Sequence, residues 1–361
     1  MPVSLAVVAG ARPNFMKVAP LLNALSASDV LEPFLIHTGQ HFDHNMSGQF
    51  FRDLGLPDPD FHLGAGGGTH AQQTAEIIRR IEPVFEERRP RGVIVVGDVN
   101  STVAAALVAA KMGIAVIHAE AGLRSFDRTM PEEINRMVTD SISDVLLVTE
   151  ESGRENLLRE GHAPGRIHMV GNLMIDSLRC HLPKARASSA LADLGVAAEK
   201  FGLITLHRPA NVDDERQLAE IVGALRIISQ TVPLLWPVHP RTRARLANIA
   251  VPDTIRILDP LGYVEFLALQ AASFVVLTDS GGVQEETTVL GVPCLTLREN
   301  TERPATIACG TNRLAGTGKA SILQAWRDML AEPKRGGMPP LWDGEARFRC
   351  RAVLEKYFSI C

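Results

Sequence analysis

Short, nearly continuous apolar runs alternate along the chain with longer amphipathic segments. Runs rich in Val, Ile and Leu that do not alternate with polar residues are typical of strands covered on both faces of a sheet. The segments between them have helical spacing, which indicates βαβ units and parallel sheets. The predicted strands form two series, at residues 4–9, 33–38, 92–97, 114–118, 144–149 and 167–171, and at residues 201–206, 232–238, 254–258, 274–278 and 292–297. The pattern therefore predicts an α/β protein with two Rossmann-like, doubly wound parallel-sheet domains.

The apolar periodicity is weakest around residues 180–200, where the chain is polar. We place the linker there, which gives a first domain over residues 1–178 and a second domain over residues 179–343. The final segment, residues 344–361, has apolar side chains at helical spacing and predicts a helix that packs back on the first domain. We expect the two domains to face each other across a cleft.

Composition and charge exclude several classes of protein. The 361 residues include 37 Lys and Arg against 41 Asp and Glu, a net charge of −4, so the positive excess of nucleic-acid binders is missing. Hydrophobic residues make up 46% and charged residues 22%, which excludes a disordered chain. No apolar stretch approaches the roughly 18–20 residues of a membrane span. The five cysteines are widely spaced, which suits a reducing compartment, and we expect a cytoplasmic protein.

Polar residues stand at the carboxyl ends of many predicted strands, which is where open α/β sheets bind ligands. One such residue is usually a loop cap, but eight of them favour a ligand site. These positions are Arg12, His37, Asp98, Glu120, His207, His239, Asp259 and Asp279.

The segment Gly-Ala-Arg12-Pro13 follows the first predicted strand and opens a helix, with Lys17 about one turn further on. Two cations beside the positive end of a helix predict an anion site. The alternative is that both cations are simply solvated. The dinucleotide fingerprint G-x-G-x-x-G is absent here, which argues against an NAD-type domain.

The segment Asp279-Ser280-Gly281-Gly282 is the sharpest local signal, because a buried strand runs through it into a helix. Glycines let the backbone approach a ligand closely, and a fresh helix end offers free N–H groups to a phosphate. Glu286, one turn along, is placed to accept hydrogen bonds from the hydroxyls of a ribose. The alternative is a tight strand–helix turn that merely needs glycine.

The segment Pro-Glu132-Glu-Ile-Asn-Arg136 begins another predicted helix. We expect its apolar stripe to face the core and Glu132 and Arg136, four residues apart, to point away from it. An exposed ion pair is the simplest interpretation. A carboxylate and a guanidinium at the preceding strand end, Glu120 and Arg124, favour a functional one.

Taken together, these segments resemble the non-hydrolysing UDP-N-acetylglucosamine 2-epimerase family. The similarity runs from about residue 8 to residue 315, and it implies a fold similar to two-domain GT-B glycosyltransferases, with a nucleotide sugar between two Rossmann-like halves. The matching motifs are Gly-Ala-Arg12-Pro-x-x-x-Lys17, Gly97-Asp98-x-Asn-Ser-Thr, His118-Ala-Glu120-Ala-Gly-Leu-Arg124, Pro-Glu132-Glu-Ile-Asn-Arg136, Thr-Leu-His207-Arg-Pro, Pro-Val-His239-Pro, Thr-Asp279-Ser-Gly-Gly-x-Gln-Glu-Glu286 and Asn-Thr-Glu-Arg303-Pro.

The resemblance implies a role for each matching residue. The catalytic positions are Asp98, Glu120, Glu132 and His207. The positions on the diphosphate side are Arg12, Lys17, Arg136, Ser280, Gly281 and Gly282. Glu286 matches the ribose-binding carboxylate, Phe266 a ring beside the uracil, and His239 and Arg303 further substrate-binding positions. The resemblance also implies a homodimer and a role in polysaccharide biosynthesis.

Inversion at C2 of the sugar requires the removal of a hydrogen that no adjacent carbonyl makes acidic. Either a neighbouring carbon is oxidised with NAD, or UDP leaves from C1. With no dinucleotide fingerprint and several phosphate-binding elements, we expect anti elimination to UDP and 2-acetamidoglucal, followed by re-addition, without a cofactor or a metal. The assignment of the four acid–base groups to the two faces of C2 stays open.

Three other functions are compatible with the same motifs. A hydrolysing 2-epimerase would release free ManNAc and UDP, a GT-B glycosyltransferase would need an acceptor, and a nucleotide-sugar sensor would bind without turnover. The four acid–base candidates favour an enzyme over a sensor. Whether the UDP-N-acetylhexosamine substrate carries plain GlcNAc or a modified 2-acetamido sugar also stays open.

Overall fold

The computed structural model describes residues 2–39, 51, 54–238, 240–334 and 336–360, except for the side chains of residues 12, 240, 241 and 360. The chain divides into two compact units. The first comprises Met1–Ser177 together with Pro340–Cys361, and the second comprises Leu178–Pro339.

The first unit contains a seven-stranded sheet whose described strand pairs are all parallel. Its strands are β1 Val3–Ala9, β2 Leu31–His37, β3 Phe61–His62, β4 Gly92–Val96, β5 Ala115–Ala121, β6 Val145–Val148 and β7 Ile167–Met169. The helices along the same stretch are α1 Arg12–Ser26, α2 His70–Arg88, α3 Asn100–Lys111, α4 Pro131–Ile142, α5 Glu151–Arg159 and α6 Leu173–Arg186. The strand order β3-β2-β1-β4-β5-β6-β7 reverses between β1 and β4.

The second unit repeats this arrangement with six parallel strands. Its strands are β8 Gly202–Thr205, β9 Leu234–Pro237, β10 Ile255–Leu258, β11 Val275–Thr278, β12 Cys294–Thr296 and β13 Asn312–Leu314. Its helices are α7 Ala190–Asp193, α8 Pro209–Val212, α9 Glu215–Ile228, α10 Pro240–Leu246, α11 Tyr263–Ala272, α12 Gly281–Leu290, α13 Pro304–Ala308 and α14 Lys319–Ala331. The order β10-β9-β8-β11-β12-β13 reverses between β8 and β11.

The two doubly wound parallel sheets confirm the predicted fold class. All eleven predicted strands are present, and burial on both faces explains their continuous apolar character, since strands such as β4 and β6 are buried throughout. The short strands β3 and β13 were not predicted. No helix in the described part of the chain is both long and apolar enough to cross a bilayer.

The polar segment at residues 180–200, where the sequence analysis places the linker, contains the end of α6 and the short helix α7. Helix α6 continues to Arg186, and α7 follows after a short turn. The apolar pattern does not show these helices because their buried positions include the small residues Ala185 and Ala190, which a search for Val, Ile and Leu does not detect. The division between the two units falls inside α6.

The C-terminal helix, α15 Ala346–Ile360, belongs to the first unit. Asp176 caps its first turn by accepting hydrogen bonds from the backbone N–H groups of Ala346 at 3.1 Å and Arg347 at 2.9 Å. Further along, Glu355 accepts a hydrogen bond from Ser28 at 2.6 Å. These contacts tie the end of the chain to α6 and to the residues after α1.

Asp176 gives this cap a dependence on pH. Burial raises the pKa of Asp176 from 3.8 to about 6, although the two amides lower it in part. Because the folded state then holds the proton more tightly than the unfolded chain, the contribution of this group to stability is complete below about pH 4. It is lost as the pH rises through about 6.

We therefore predict that Asp176→Asn changes how stability depends on pH. Relative to the wild type, the variant should gain about 3 kcal/mol in its free energy of unfolding between pH 4 and pH 7, since Asn does not ionise. Urea unfolding at several pH values measures this difference, with Asp58→Asn at an exposed loop position as the control. A difference that stays constant across the range would contradict the assignment.

Candidate functional site

The predicted residues of the first unit gather where the strand order of its sheet reverses. Arg12 begins α1 directly after β1, and Asp98 follows β4 by two residues. Lys17 lies one turn into α1, and Glu120 lies near the end of β5. The side chain of Arg12 lies outside the described part of the structure.

Lys17 and Glu120 form a buried ion pair. Glu120 has a positive φ of 74°, and the register between β5 and β6 shifts at this residue, which marks a β-bulge that redirects the side chain. Gly97 lies beside the pair, and its φ is positive, at 70°, a conformation that favours glycine.

Asp98 forms an ion pair with Arg136, whose side chain is only 2% exposed. The same guanidinium donates to Glu133 at 2.6 Å, and Glu133 also accepts hydrogen bonds from the amides of Ser125 and Phe126 at 2.9 Å each. Burial alone raises the pKa of Glu133, but the Ser125 amide and Arg136 outweigh it and lower that pKa. Glu133 therefore stays charged and holds Arg136 in place for Asp98.

The orientation of α4 differs from the prediction. Ile134 and Val138 of the predicted core stripe are 38% and 36% exposed, whereas Glu133 and Arg136 are buried. The simple ion pair between Glu132 and Arg136 is also wrong, because Arg136 binds Asp98 and Glu133 instead. The helix turns its charged side chains inward because the carboxylates of the site and the amides of the loop before it lie there.

Glu132 stands apart from this network. It lies half-buried in the first turn of α4. Within the described residues it makes no hydrogen bond or ion pair. Of the three predicted catalytic acids in this unit, Glu120 and Asp98 are thus paired with cations. Glu132 has no such partner among the described residues.

A buried pair formed by His118 and Asp140 supports the loop after β4, and the sequence analysis did not predict it. Nδ1 of His118 lies 2.6 Å from Asp140, and Nε2 lies 2.8 Å from the carbonyl oxygen of Gly97. Arg124 also contacts Asp140, at 2.7 Å. The available signal was a histidine inside an apolar strand, since a buried imidazole needs a polar partner.

The predicted histidine of the second unit contacts a buried carboxylate and is itself partly exposed. His207 follows β8 and Asp279 follows β11, the two strands between which the order reverses. Nδ1 of His207 lies 2.9 Å from the fully buried carboxylate of Asp279, while the His207 side chain is 58% exposed. The pair therefore presents one face of the imidazole to a ligand.

Helix α12 begins beside this pair and offers an anion site. Ser280 is its N-cap residue and makes no capping hydrogen bond through its side chain, so the N–H groups of the first turn keep their capacity to bind a ligand. Gly281 is required by packing, because a Cβ atom there would lie 2.7 Å from Nη1 of Arg303. Gly282 continues the turn without a side chain to obstruct an anion.

Arg303 lies in a buried ionic network beneath this helix start. Its guanidinium donates to Glu285 at 2.8 Å and to Glu302 at 2.5 Å, and Arg298 binds the same Glu302 at 2.7 Å. Burial alone raises the pKa of Glu302, but Arg303 and Arg298 together hold it well below its usual range. In this structure Arg303 therefore supports Gly281 from below.

The remaining predicted residues of the second unit surround α11. Glu286 is buried and accepts a hydrogen bond from the hydroxyl of Tyr263 at 2.8 Å. Burial raises the pKa of Glu286 to about 7, although Tyr263 and Gln270 lower it in part. Phe266 is half-buried against the apolar cluster of this unit. His239 lies outside the described residues.

These two groups of residues suit different parts of one chemistry. The first unit holds carboxylates in three different environments, which suits proton transfer. The second combines a helix N-terminus with an exposed imidazole, which suits binding an anion and moving a proton near it. Among the residues that the structure describes, no group of three or more His, Cys, Asp or Glu side chains is arranged to hold a metal ion.

A family model and several known proteins are similar to this chain. The model of the family described as UDP-N-acetylglucosamine 2-epimerase matches residues 23–355. A UDP-N-acetylglucosamine 2-epimerase of Methanocaldococcus jannaschii is 41% identical over 98% of this chain and 99% of its own. A UDP-2,3-diacetamido-2,3-dideoxy-D-glucuronate 2-epimerase of Pseudomonas aeruginosa is 40% identical over 97% of this chain and 98% of its own.

Solved structures give the same picture. The crystal structure of the Methanocaldococcus jannaschii UDP-GlcNAc 2-epimerase in complex with UDP-GlcNAc and UDP has a TM-score of 0.91 at 40% identity, over 98% of this chain and 100% of that one. A sucrose-phosphate synthase of Thermosynechococcus elongatus has a TM-score of 0.62 at 14% identity, over 100% of both chains, which shows a shared fold.

The neighbours Glu132 and Glu133 give a matched test of the first group. We predict that Glu133→Ala lowers the free energy of unfolding by about 3 kcal/mol, because it removes a buried partner of Arg136 and an acceptor of two amides. Glu132→Ala, which breaks no contact among the described residues, should change it by less than about 0.5 kcal/mol. Urea unfolding of both variants measures the difference, and equal destabilisation would contradict this account of α4.

Proposed function

Because the chain belongs to the UDP-N-acetylglucosamine 2-epimerase family, we propose that it inverts C2 of a UDP-N-acetylhexosamine by eliminating UDP and adding it back. The protein is an isomerase. The observation that carries the proposal is the pairing of acid with cation where the strand order of the first sheet reverses, Glu120 with Lys17 and Asp98 with Arg136. Each pair combines a group that can move a proton with a charge that can stabilise a leaving diphosphate.

The second unit supplies the features expected of a uridine diphosphate site. The N-terminus of α12 presents Ser280, Gly281 and Gly282 to the diphosphate, and Glu286 serves the ribose hydroxyls. Phe266 provides a flat apolar surface for the uracil. Arg12, His239 and Arg303 complete the proposed binding set, with Arg303 acting from beneath the helix start.

The chemistry begins with the departure of UDP from C1. The C2 hydrogen becomes acidic as positive charge develops at C1, so a base can remove it and leave 2-acetamidoglucal. Addition of UDP with protonation of C2 from the opposite face then gives the C2 epimer. Lys17, Arg136 and the helix N-terminus stabilise the departing diphosphate, and nearby carboxylates stabilise the charge at C1.

Four groups are available to move the C2 proton, and they differ in environment. Asp98 is half-exposed and paired with Arg136, Glu120 is buried with Lys17, and Glu132 has no partner among the described residues. His207 projects from the second unit beside Asp279. Two of the four must act on opposite faces of C2, and the proposal leaves the choice between them to experiment.

Two sugars are candidate substrates. The relatives with comparable identity include enzymes named for UDP-N-acetylglucosamine and one named for a 2,3-diacetamido uronate. Both sugars carry the 2-acetamido group and the UDP leaving group that the proposed elimination needs. We propose UDP-GlcNAc as the first substrate to test and the diacetamido uronate as the second.

The proposal predicts that the protein incorporates solvent hydrogen at C2. In D₂O, NMR should show deuterium entering C2 of UDP-GlcNAc while UDP-ManNAc forms. Asp98→Asn should slow this by roughly 10²–10⁴-fold, the usual contribution of an acid–base group, with little change in melting temperature. Asp58→Asn, at an exposed loop position, is the control.

Other outcomes would select other functions. Epimerisation without deuterium at C2 would end the elimination mechanism. Free ManNAc would indicate a hydrolysing epimerase, and an unchanged sugar with both substrates would leave the transferase or the sensor, which added acceptors would separate. Loss of activity that only follows loss of folding in Asp98→Asn would contradict a catalytic role for that residue.

We also propose that the protein acts as a homodimer in the cytoplasm. Ile134 and Val138 leave an apolar strip exposed on α4, and Ile134 lines a shallow groove with Ala71, Ala75 and Ile78 of α2. A second copy of this chain would cover such a surface. The cysteines Cys294, Cys309 and Cys350 form no disulfide bond, which suits a reducing compartment.

The dimer gives a further prediction. Ile134→Asp places a charge in the proposed contact and should shift the mass in solution from dimer to monomer, while the free energy of unfolding measured per chain changes little beyond the loss of association. Light scattering after gel filtration measures the mass, with Ile227→Asp, an exposed position of the second unit, as the control. A wild type that is monomeric at all concentrations would rule out the dimer.

A further inference from the structure

The pair formed by His207 and Asp279 uses only one of the two nitrogens of the imidazole ring. Nδ1 of the imidazole faces the carboxylate at 2.9 Å, and the side chain is 58% exposed. Nε2 makes no hydrogen bond to any residue that the structure describes. The imidazole is therefore anchored at one nitrogen, and its other nitrogen has no partner among the described residues.

Asp279 is fixed much more firmly than its partner. It is fully buried, and its two oxygens accept hydrogen bonds from the backbone N–H of His207 at 3.1 and 3.2 Å, from the N–H of Arg208 at 3.0 Å and from Nδ2 of Asn211 at 3.1 Å. All of these neighbours are donors. Burial alone raises the pKa of Asp279, but His207 and the Arg208 amide more than offset this and lower it. The carboxylate stays ionised and cannot rotate away from the ring.

The chain contains a second His–Asp pair, which shows the contrast. His118 and Asp140 are completely buried, and both nitrogens of His118 are used, one by Asp140 and the other by the carbonyl oxygen of Gly97. With both nitrogens occupied, the ring supports the loop and has no nitrogen left for a ligand. The same two residue types thus form a pair with both imidazole nitrogens occupied in the first unit, and a pair with one nitrogen unoccupied by any described residue in the second.

We infer that Asp279 is a positioning residue that fixes the tautomer of His207, with hydrogen on Nδ1 and a lone pair on Nε2 facing the substrate. This rests on the proposed function, in which His207 is one of four groups that move the C2 proton. When Nε2 takes up that proton, the ring becomes an imidazolium whose charge is balanced by the adjacent carboxylate. A second group protonates C2 from the opposite face, and the imidazolium then releases its proton to solvent and is neutral again in the same tautomer.

The tautomer can be measured on the unmodified enzyme without turnover. In ¹⁵N-labelled protein at pH 8, long-range ¹H–¹⁵N correlation spectra should show His207 with a proton on Nδ1 and an unprotonated Nε2. The spectrum of His207→Gln assigns the signal. A ring protonated at Nε2 with a bare Nδ1 would overturn the inference.

The substitution Asp279→Asn tests the consequence for catalysis. An amide in this place can donate to Nδ1 and favours the opposite tautomer, so we expect kcat to fall on the order of 10³-fold. The dissociation constant for UDP should change by less than about threefold. Asp253→Asn, at an exposed loop position of the same unit, is the control. Activity within threefold of the wild type would overturn the inference, and so would lost UDP binding with kcat retained.

The two proposals fail in different ways. If the wild type does not epimerise either candidate sugar, the proposed function falls, while the tautomer spectrum still reports on the His207–Asp279 pair. If the wild type epimerises UDP-GlcNAc and Asp279→Asn does so equally well, the function stands and the positioning role is refuted. Should Asp279→Asn not fold, the tautomer of the wild-type ring decides the question alone.

Discussion

In each sheet the strand order reverses between two adjacent strands, and each group of candidate residues depends on the reversal in its own sheet. The connections on either side of such a point leave the sheet toward opposite faces, so the ends of the two strands are left uncovered. In the first unit this exposes the loops after β1 and β4, and in the second the loops after β8 and β11. Polar side chains can stand there without breaking the apolar core, which is why Asp98, His207 and Asp279 are found at these ends.

The charged side chains in and beside these loops form ion pairs with side chains of opposite charge. Arg136 lies between Asp98 and Glu133, and Arg303 lies between Glu285 and Glu302. A buried charge without a partner is costly, so each such group fixes the position of its neighbour. The result is that the residues expected to touch the substrate, such as Asp98 and Gly281, rest on buried residues that do not.

The continuous apolar runs were enough to predict eleven strands and the fold class, because burial on both faces leaves a signal in every residue. Strand β3 consists of a phenylalanine and a histidine, and β13 of an asparagine, an arginine and a leucine, so neither contains an apolar run that would predict it. The orientation of α4 was misread because periodicity shows that a helix has two faces, not which one turns inward. The ion partners of Arg124 and Arg136 were equally hidden, since partners 16 and 38 residues away meet only through the sheet.

The direction of the pKa shift distinguishes the carboxylates that hold other residues in place from Glu286. Glu133, Asp140, Asp279 and Glu302 all have a lowered pKa, because cations, amides or a histidine outweigh the effect of burial. Glu286 is the exception in the second unit: only neutral donors reach it, and burial raises its pKa to about 7. A carboxylate that neutral groups hold near its point of ionisation can accept hydrogen bonds from neutral hydroxyls without a competing cation. These surroundings suit the proposed role of Glu286 in binding the ribose hydroxyls, whereas the other four carboxylates are held by charged or backbone partners.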